Sequence, residues 1–182
     1  MGKLIIFGVL SLLIVIASWR TLFSVKSHGF YRFFSWECMA WMITINGKYW
    51  FINLLSINQI ASWILLFYSL YLVLAGFILI KRTGKPASFR DDKNLYSFEK
   101  TTELVDIGIF KYIRHPLYSS LIFLTWAIFL KNPTILLFVI GLLSTNFLYF
   151  TSKFDEKECL VFFGKKYSDY MKQTKMFIPF IF

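Results

Sequence analysis

Apolar and polar residues run in long blocks along this chain, with no sustained period-two alternation of the kind that marks strands. Residues 4–19, 33–45, 60–80, 117–130 and 135–150 are apolar enough to be helices in lipid. The second block either ends at 45 or extends along the interface through 49–57. Several blocks are shorter than the roughly 20 residues of a full span, so tilt or local thinning must supply the difference. The pattern predicts an all-α polytopic membrane protein with about five transmembrane helices. Its C-terminal part is a helical hairpin followed by a cytoplasmic C-terminal helix. Residues 1–182 read as a single membrane domain, with N-terminal spans in 1–80 and the chemistry-bearing core in 81–182.

The turn Lys131-Asn132-Pro133 is too short for anything but a tight hairpin. The last two spans are therefore neighbours, and the polar segments 81–115 and 153–182 meet at their common end. With the N-terminus outside, only Lys3, Lys48 and Lys131 of the 20 basic residues are left outside. That bias puts the polar segments in the cytoplasm. A re-entrant second block would change the count.

Composition agrees. The chain is 57% hydrophobic and 21% aromatic, with a formal charge of +10. The basic residues are scattered between apolar blocks, so the charge reads as topology and attraction to membrane lipids; a nucleic-acid partner is not expected. Cys38 and Cys159 lack metal or redox spacing and read as small apolar residues. No cleavage site follows the first apolar block before Arg20, so it reads as a retained span.

Three constellations stand out. In Arg114-His115-Pro116, proline suits the first position of a helix and pushes His115 out of helical geometry. A helix start offers N–H groups and partial positive charge, and Arg114 a planar fork for a carboxylate or phosphate. Tyr118 can present its ring or hydroxyl at the same place. An ordinary helix start with a snorkelling arginine explains the spacing equally well. In the segment DEKECLVFFGKKYSDYMKQ, a helix wound from Glu156 puts Glu156, Cys159, Leu160, Phe163, Tyr167, Tyr170 and Met171 within about 60° of one line. A carboxylate on that stripe needs a partner, either Arg114 or Lys111 or a ligand. Gly164 marks a break or a close approach. In the segment SHGFYRFFSWE, His28, Arg32 and Glu37 lie at the inner end of the second block, either as a substrate-binding group or as interfacial anchors. The two histidines form no ligand motif, and no metal centre is expected.

The run TTELVDIGIFKYIRHPLY resembles the signature of the isoprenylcysteine carboxyl methyltransferase and phospholipid methyltransferase group of integral membrane enzymes. Across the hairpin, Asp155-Glu156, Phe163-Gly164, Tyr167, Tyr170 and Pro179 match its second motif. The resemblance covers about residues 101–182. It implies methyl transfer from S-adenosyl-L-methionine to a lipophilic small-molecule or lipid acceptor. By position, Leu104 and Val105 border the adenosine, Gly108 belongs to the binding loop, and His115, Pro116 and Tyr118 line the methionine portion. Glu156 reaches the cofactor's polar groups, and Arg114 orients the acceptor. These two are the expected catalytic residues, with His28 and Arg32 on the substrate side. The chain departs from the group in Asp155, where Glu is usual, in Lys153, where related chains often carry Arg nearby, and in Phe110, where Tyr is usual. The ending also resembles part of the membrane sterol reductases, which use a nicotinamide cofactor but have about twice as many spans. A non-catalytic membrane protein is the third alternative.

Overall fold

A computed structural model describes residues 2–85, 96 and 99–181. Arg90 and Lys93, which entered the charge bias, lie outside the described residues. Six helices follow in order: α1 Gly2–Ser18, α2 His28–Asn46, α3 Ile57–Thr83, α4 Pro116–Leu130, α5 Ile135–Phe163 and α6 Lys165–Gln173. Short 3₁₀ turns occupy Gly47–Tyr49 and Gly108–Lys111. Among the described residues there is no strand, only a parallel bridge between Ile113 and Lys175.

The local rules place the helix starts. Ser56 caps α3 by accepting from the Gln59 N–H, and Thr134 caps α5 by accepting from the Leu137 N–H. Pro116 opens α4, with His115 outside helical geometry at φ −123°, ψ 60°. The second helix begins at His28 rather than Phe33, because its polar first turn finds acidic partners elsewhere in the fold. Residues 50–56 are turns, so the interfacial extension of the second block is not helical.

α1 to α5 run back and forth between two ends of a bundle. α2 starts beside Glu158, near the end of α5, and finishes where the Asn46 amide donates to the Ile128 carbonyl, beside the hairpin turn. It therefore traverses the whole hairpin and does not turn back. α3 starts at the hairpin end, where Gln59 bonds Lys131, and reaches the other end with Ile80. α3 lies along α4, α2 along α5, and α1 along α2. Met42, Ile128 and Leu137 form a core near the hairpin end. Hydroxyl pairs bind the middle: Ser35 to Ser144 at 2.8 Å and Thr125 to Ser144 at 3.2 Å. Such small polar residues let helices approach closely in lipid.

α3 and α5 are each long and apolar enough to cross a membrane, and α1 and α4 are shorter apolar helices. Only 17% and 33% of the most apolar stretches of α3 and α5 are buried within the protein, unlike core helices of a water-soluble fold. Leu12, Phe67 and Val139 are among many large apolar side chains facing outward.

α5 continues well beyond its apolar block and carries Lys153 to Glu158 to the end of the bundle where α2 and α4 start. The helix wound from Glu156 to Met171 breaks at Gly164, one of the two outcomes expected there, with φ 56° and ψ −129°, and resumes as α6. The stripe survives in part: Glu156, Tyr167 and Tyr170 are buried, whereas Leu160 is exposed.

Candidate active site

The segment entering α4 and the tail leaving α6 are joined by backbone hydrogen bonds. Arg114 N–H donates to the Lys175 carbonyl at 2.8 Å, Lys175 N–H to Tyr112 at 3.0 Å, and His115 N–H to Met176 at 3.2 Å. Ser119 adds its hydroxyl to the Phe177 carbonyl at 2.9 Å. Met176 and Phe177 bury themselves with Tyr118. The tail is thus a tether, pulling α6 against the start of α4.

Arg114 sits at the centre of this tether. Its Nε and Nη2 lie 3.0 and 2.9 Å from Glu156 Oε1, and its Nη1 donates to the carbonyls of Met171 and Thr174. Lys153 donates to Glu156 Oε2 at 3.0 Å. His115 stacks on the Tyr118 ring, with centroids 5.5 Å apart. Its Nδ1 lies 3.3 Å from Asp155 and its Nε2 3.5 Å from Glu156, the latter without a hydrogen bond. Burial alone would push the His115 imidazolium down; Asp155 and Glu156 outweigh it and hold the proton on. The positive start of α4 therefore faces the protein's own carboxylates, a favourable pairing with the helix dipole.

A second acid–base cluster lies at the same end. His28 Nδ1 is 2.7 Å from Glu158, and Arg32 Nη1 donates to Glu99 at 2.6 Å. His28 and Arg32 are both buried. His28 also comes close to Asp155: the ligand atoms of His28, Asp155 and Glu158 lie within 4.8 Å of one another. Two histidines far apart in sequence thus converge on one carboxylate.

Between these clusters lies a cavity of about 690 Å³, counted out to its open mouth. Of the residues expected to bind cofactor or acceptor, Leu104, Val105, Arg114, His115, Pro116 and Tyr118 line it, together with Asp155, Cys159, Phe163, Tyr167 and Tyr170 of the second motif and stripe. Glu156 is not among the lining residues; it stands behind Arg114, 3% exposed. Gly108 stands outside the lining too. It turns the chain at φ +60°, where a Cβ would come within 2.7 Å of Leu79. His28 and Arg32 do not line the cavity; both stand behind Glu99, which does, and His28 also lies near the lining Asp155.

Glu99 was missed as a site residue, and Asp155 and Tyr167 were noted only as motif positions. The signal for Glu99 was indirect: a buried Arg32 demands an acid, but nothing local says which one. Tyr118 and Tyr167 are 7% and 3% exposed and line the cavity, yet among the described residues neither hydroxyl has a hydrogen-bond partner. Together with acids on two walls, they fit a ligand that has both polar groups and positive charge.

Comparison with known proteins agrees with this chemistry. The chain is similar to methanethiol S-methyltransferases: 31% identical over 71 residues to that of Pseudomonas deceptionensis, covering 39% of this chain and 26% of the relative. To that of Mycobacterium tuberculosis it is 28% identical over 71 residues, covering 39% and 28%. To that of Crocosphaera subtropica it is 31% identical over 74 residues, covering 41% and 28%. The chain thus matches only about a quarter of the length of these curated relatives. No solved structure matches it. The family model for phospholipid methyltransferases matches residues 57–169, from the first turn of α3 into α6 and across every cavity-lining segment except Tyr170. The chain belongs to the phospholipid methyltransferase family.

Proposed function

We propose that this protein transfers a methyl group from S-adenosylmethionine to a lipophilic acceptor, acting as a single membrane domain of five spans with its site facing the cytoplasm. The observation that carries the reading is the cavity under the α4–α5 hairpin. It is walled by both motif segments and by Tyr118 and Tyr167, whose hydroxyls bond no described residue. The nicotinamide-reductase alternative has no support in the matches.

Bound S-adenosylmethionine would supply an electrophilic methyl group on a sulfonium. The apolar patch of Leu104 and Val105 suits the adenine side, and His115, Pro116 and Tyr118 suit the polar end. Arg114 and Glu156, expected to be catalytic, act in this reading as positioning residues: their mutual bonds and the Thr174 carbonyl fix the tail as a wall. Methyl transfer is an in-line displacement, in which alignment and a dry site matter more than a strong acid or base. His115, charged between Asp155 and Glu156, is a poor general base and a good fixed charge.

The acceptor has a route of its own. An apolar groove of about 530 Å³ runs between α3, α4 and α5, lined by Phe123, Trp126, Leu142, Tyr149 and Ile178 among others. It ends at Phe177, whose ring centroid is 6.2 Å from that of His115. A lipid tail or a small apolar thiol such as the relatives' named substrate suits this groove. A thiolate or carboxylate acceptor would need no base at the moment of transfer.

The test is direct. Detergent-purified protein is titrated with S-adenosylmethionine by calorimetry, and radiolabelled methyl transfer into organic-extractable product is followed with membrane extracts. Saturable binding with label in the extract is expected. A folded sample that binds no S-adenosylmethionine would overturn the reading.

A further inference from the structure

Glu99, from the segment joining α3 to α4, is a cavity acid belonging to none of the sequence motifs. It lines the cavity, and its side chain is 13% exposed. It is held rigidly from behind. Arg32 Nη1 donates to Oε1 at 2.6 Å, the Tyr96 N–H donates to Oε2 at 2.9 Å, and His28 Nε2 stands 3.6 Å from Oε2. The holders are themselves fixed. The Arg32 guanidinium carbon lies 5.2 Å and 4.6 Å from the ring centroids of Trp36 and Tyr96. His28 is anchored to Glu158 through both its ring and its backbone N–H.

Accepting capacity separates the acids around the cavity. An ionised carboxylate has about four lone-pair sites. Glu99 spends two on hydrogen bonds and presents the rest beside an open volume. Glu156 is consumed by Arg114 and Lys153 and does not line that volume. Asp155 lies against the His115 ring. A cationic group entering a partly buried site needs a preorganised acceptor, and Glu99 is the best-placed one.

We propose that Glu99 receives the α-ammonium group of the bound cofactor, with Arg32 and His28 as the positioning residues that aim it. The N-terminal helices are then part of the binding site. This rests on the S-adenosylmethionine reading above, and the probes are chosen to separate the two.

Binding of S-adenosylhomocysteine, which carries the amino-acid portion, is compared with binding of methylthioadenosine, which lacks it. Glu99→Gln should weaken S-adenosylhomocysteine about ten- to a hundredfold, the range for a lost charge-assisted hydrogen bond, and leave methylthioadenosine within about twofold. Because Glu99→Gln strands Arg32, the paired variant Arg32→Met with Glu99→Leu is measured alongside. It removes both charges at once, a change that buried pairs commonly tolerate, and it should show the same selective loss. Equal weakening of both ligands would mean a structural role or a ribose contact, and no weakening would mean no role; either overturns the proposal. A folded wild type that binds neither ligand overturns the methyltransferase reading, and this assignment with it.

Discussion

At the scale of single residues, the site is built on ion pairs that have left water. Arg114 and Glu156 have side chains 9% and 4% exposed. Deleting one partner strands the other, which typically costs about 3–5 kcal/mol. Glu156→Ala should therefore lower the melting temperature sharply and weaken S-adenosylmethionine binding as the tail loosens; a melt unchanged from wild type would show that the pair is not needed. The His28–Glu99 pair makes a different prediction, in pH. Burial by itself pushes the His28 imidazolium down, but Glu158 and Glu99 more than reverse it, lifting it from 6.5 to about 10. Burial pushes the Glu99 carboxyl up, and Arg32 and His28 overcome this to hold it at about 2, below its usual 4.5. The raised histidine contributes stability that is full below pH 6.5 and drains as pH climbs through 10. The depressed acid contributes stability that is full above pH 4.5 and is lost as pH falls through 2. Melting in detergent should peak between pH 4.5 and 6.5 and decline on the alkaline side. His28→Gln should flatten that decline, leaving the part due to His115. An identical alkaline slope in both proteins would refute the assignment.

At the scale of elements, the break between α5 and α6 decides whether the tyrosines face the cavity. A straight helix through Gly164 would carry Tyr167 and Tyr170 along the axis of α5. The glycine instead turns the chain at φ 56°, ψ −129°, and Tyr170 donates to the Phe110 carbonyl at 2.7 Å. A Cβ at Gly164 would meet nothing within 4 Å, so Gly164→Ala tests backbone strain alone. It should cost about 1–3 kcal/mol and weaken ligand binding further as Tyr167 shifts. Retained affinity at reduced stability would show that the break is not what orients Tyr167. Elements were legible in the sequence where one local rule settled them: Pro116 at a helix start, the three-residue hairpin turn, and the long apolar blocks of α3 and α5. Gly164 was legible as a signal but not as an outcome, since a lone glycine in a helical pattern fits either a break or a close approach. The stripe marked helix from Glu156 onward, but the polar residues between the fifth apolar block and Glu156 hid that this helix is continuous with α5. What stayed illegible was long-range pairing. Arg32 finds Glu99 67 positions away, and His28 finds Glu158 130 away. No window of sequence contains both partners. The stripe through Glu156 showed that this carboxylate needed a partner, and Arg114 was one of those named; the hairpin brought segments 81–115 and 153–182 to one end but gave no sign that residues 175 and 176 pair with 112–115.

At the scale of the whole molecule, every charged cluster around the cavity lies at one end of the bundle, and the other end is nearly bare of charge. Lys131 is there, but it is buried: its ammonium donates to Gln59 and sits 3.9 Å and 5.2 Å from the ring centroids of Trp63 and Trp50. Held in that aromatic cage, it braces the hairpin against α3 and counts little as a topological charge. The end away from the cavity then presents chiefly Lys3 and Lys48, which strengthens the expectation that the cavity faces the cytoplasm. The five alternating helices make this testable with two positions. In a background with Cys38 and Cys159 changed to Ala, Lys48→Cys marks the hairpin end and Lys166→Cys the cavity end, and both sites are exposed. An impermeant maleimide added to intact cells should modify the first and spare the second, with the pattern reversed in inverted vesicles. Modification of both from one side would mean that the bundle does not span the bilayer. Modification of Lys166→Cys from outside would put the site on the far face, where a cytosolic methyl donor could not reach it. Because the same two positions bracket α3, α4 and α5, either result constrains the membrane path of the whole binding core.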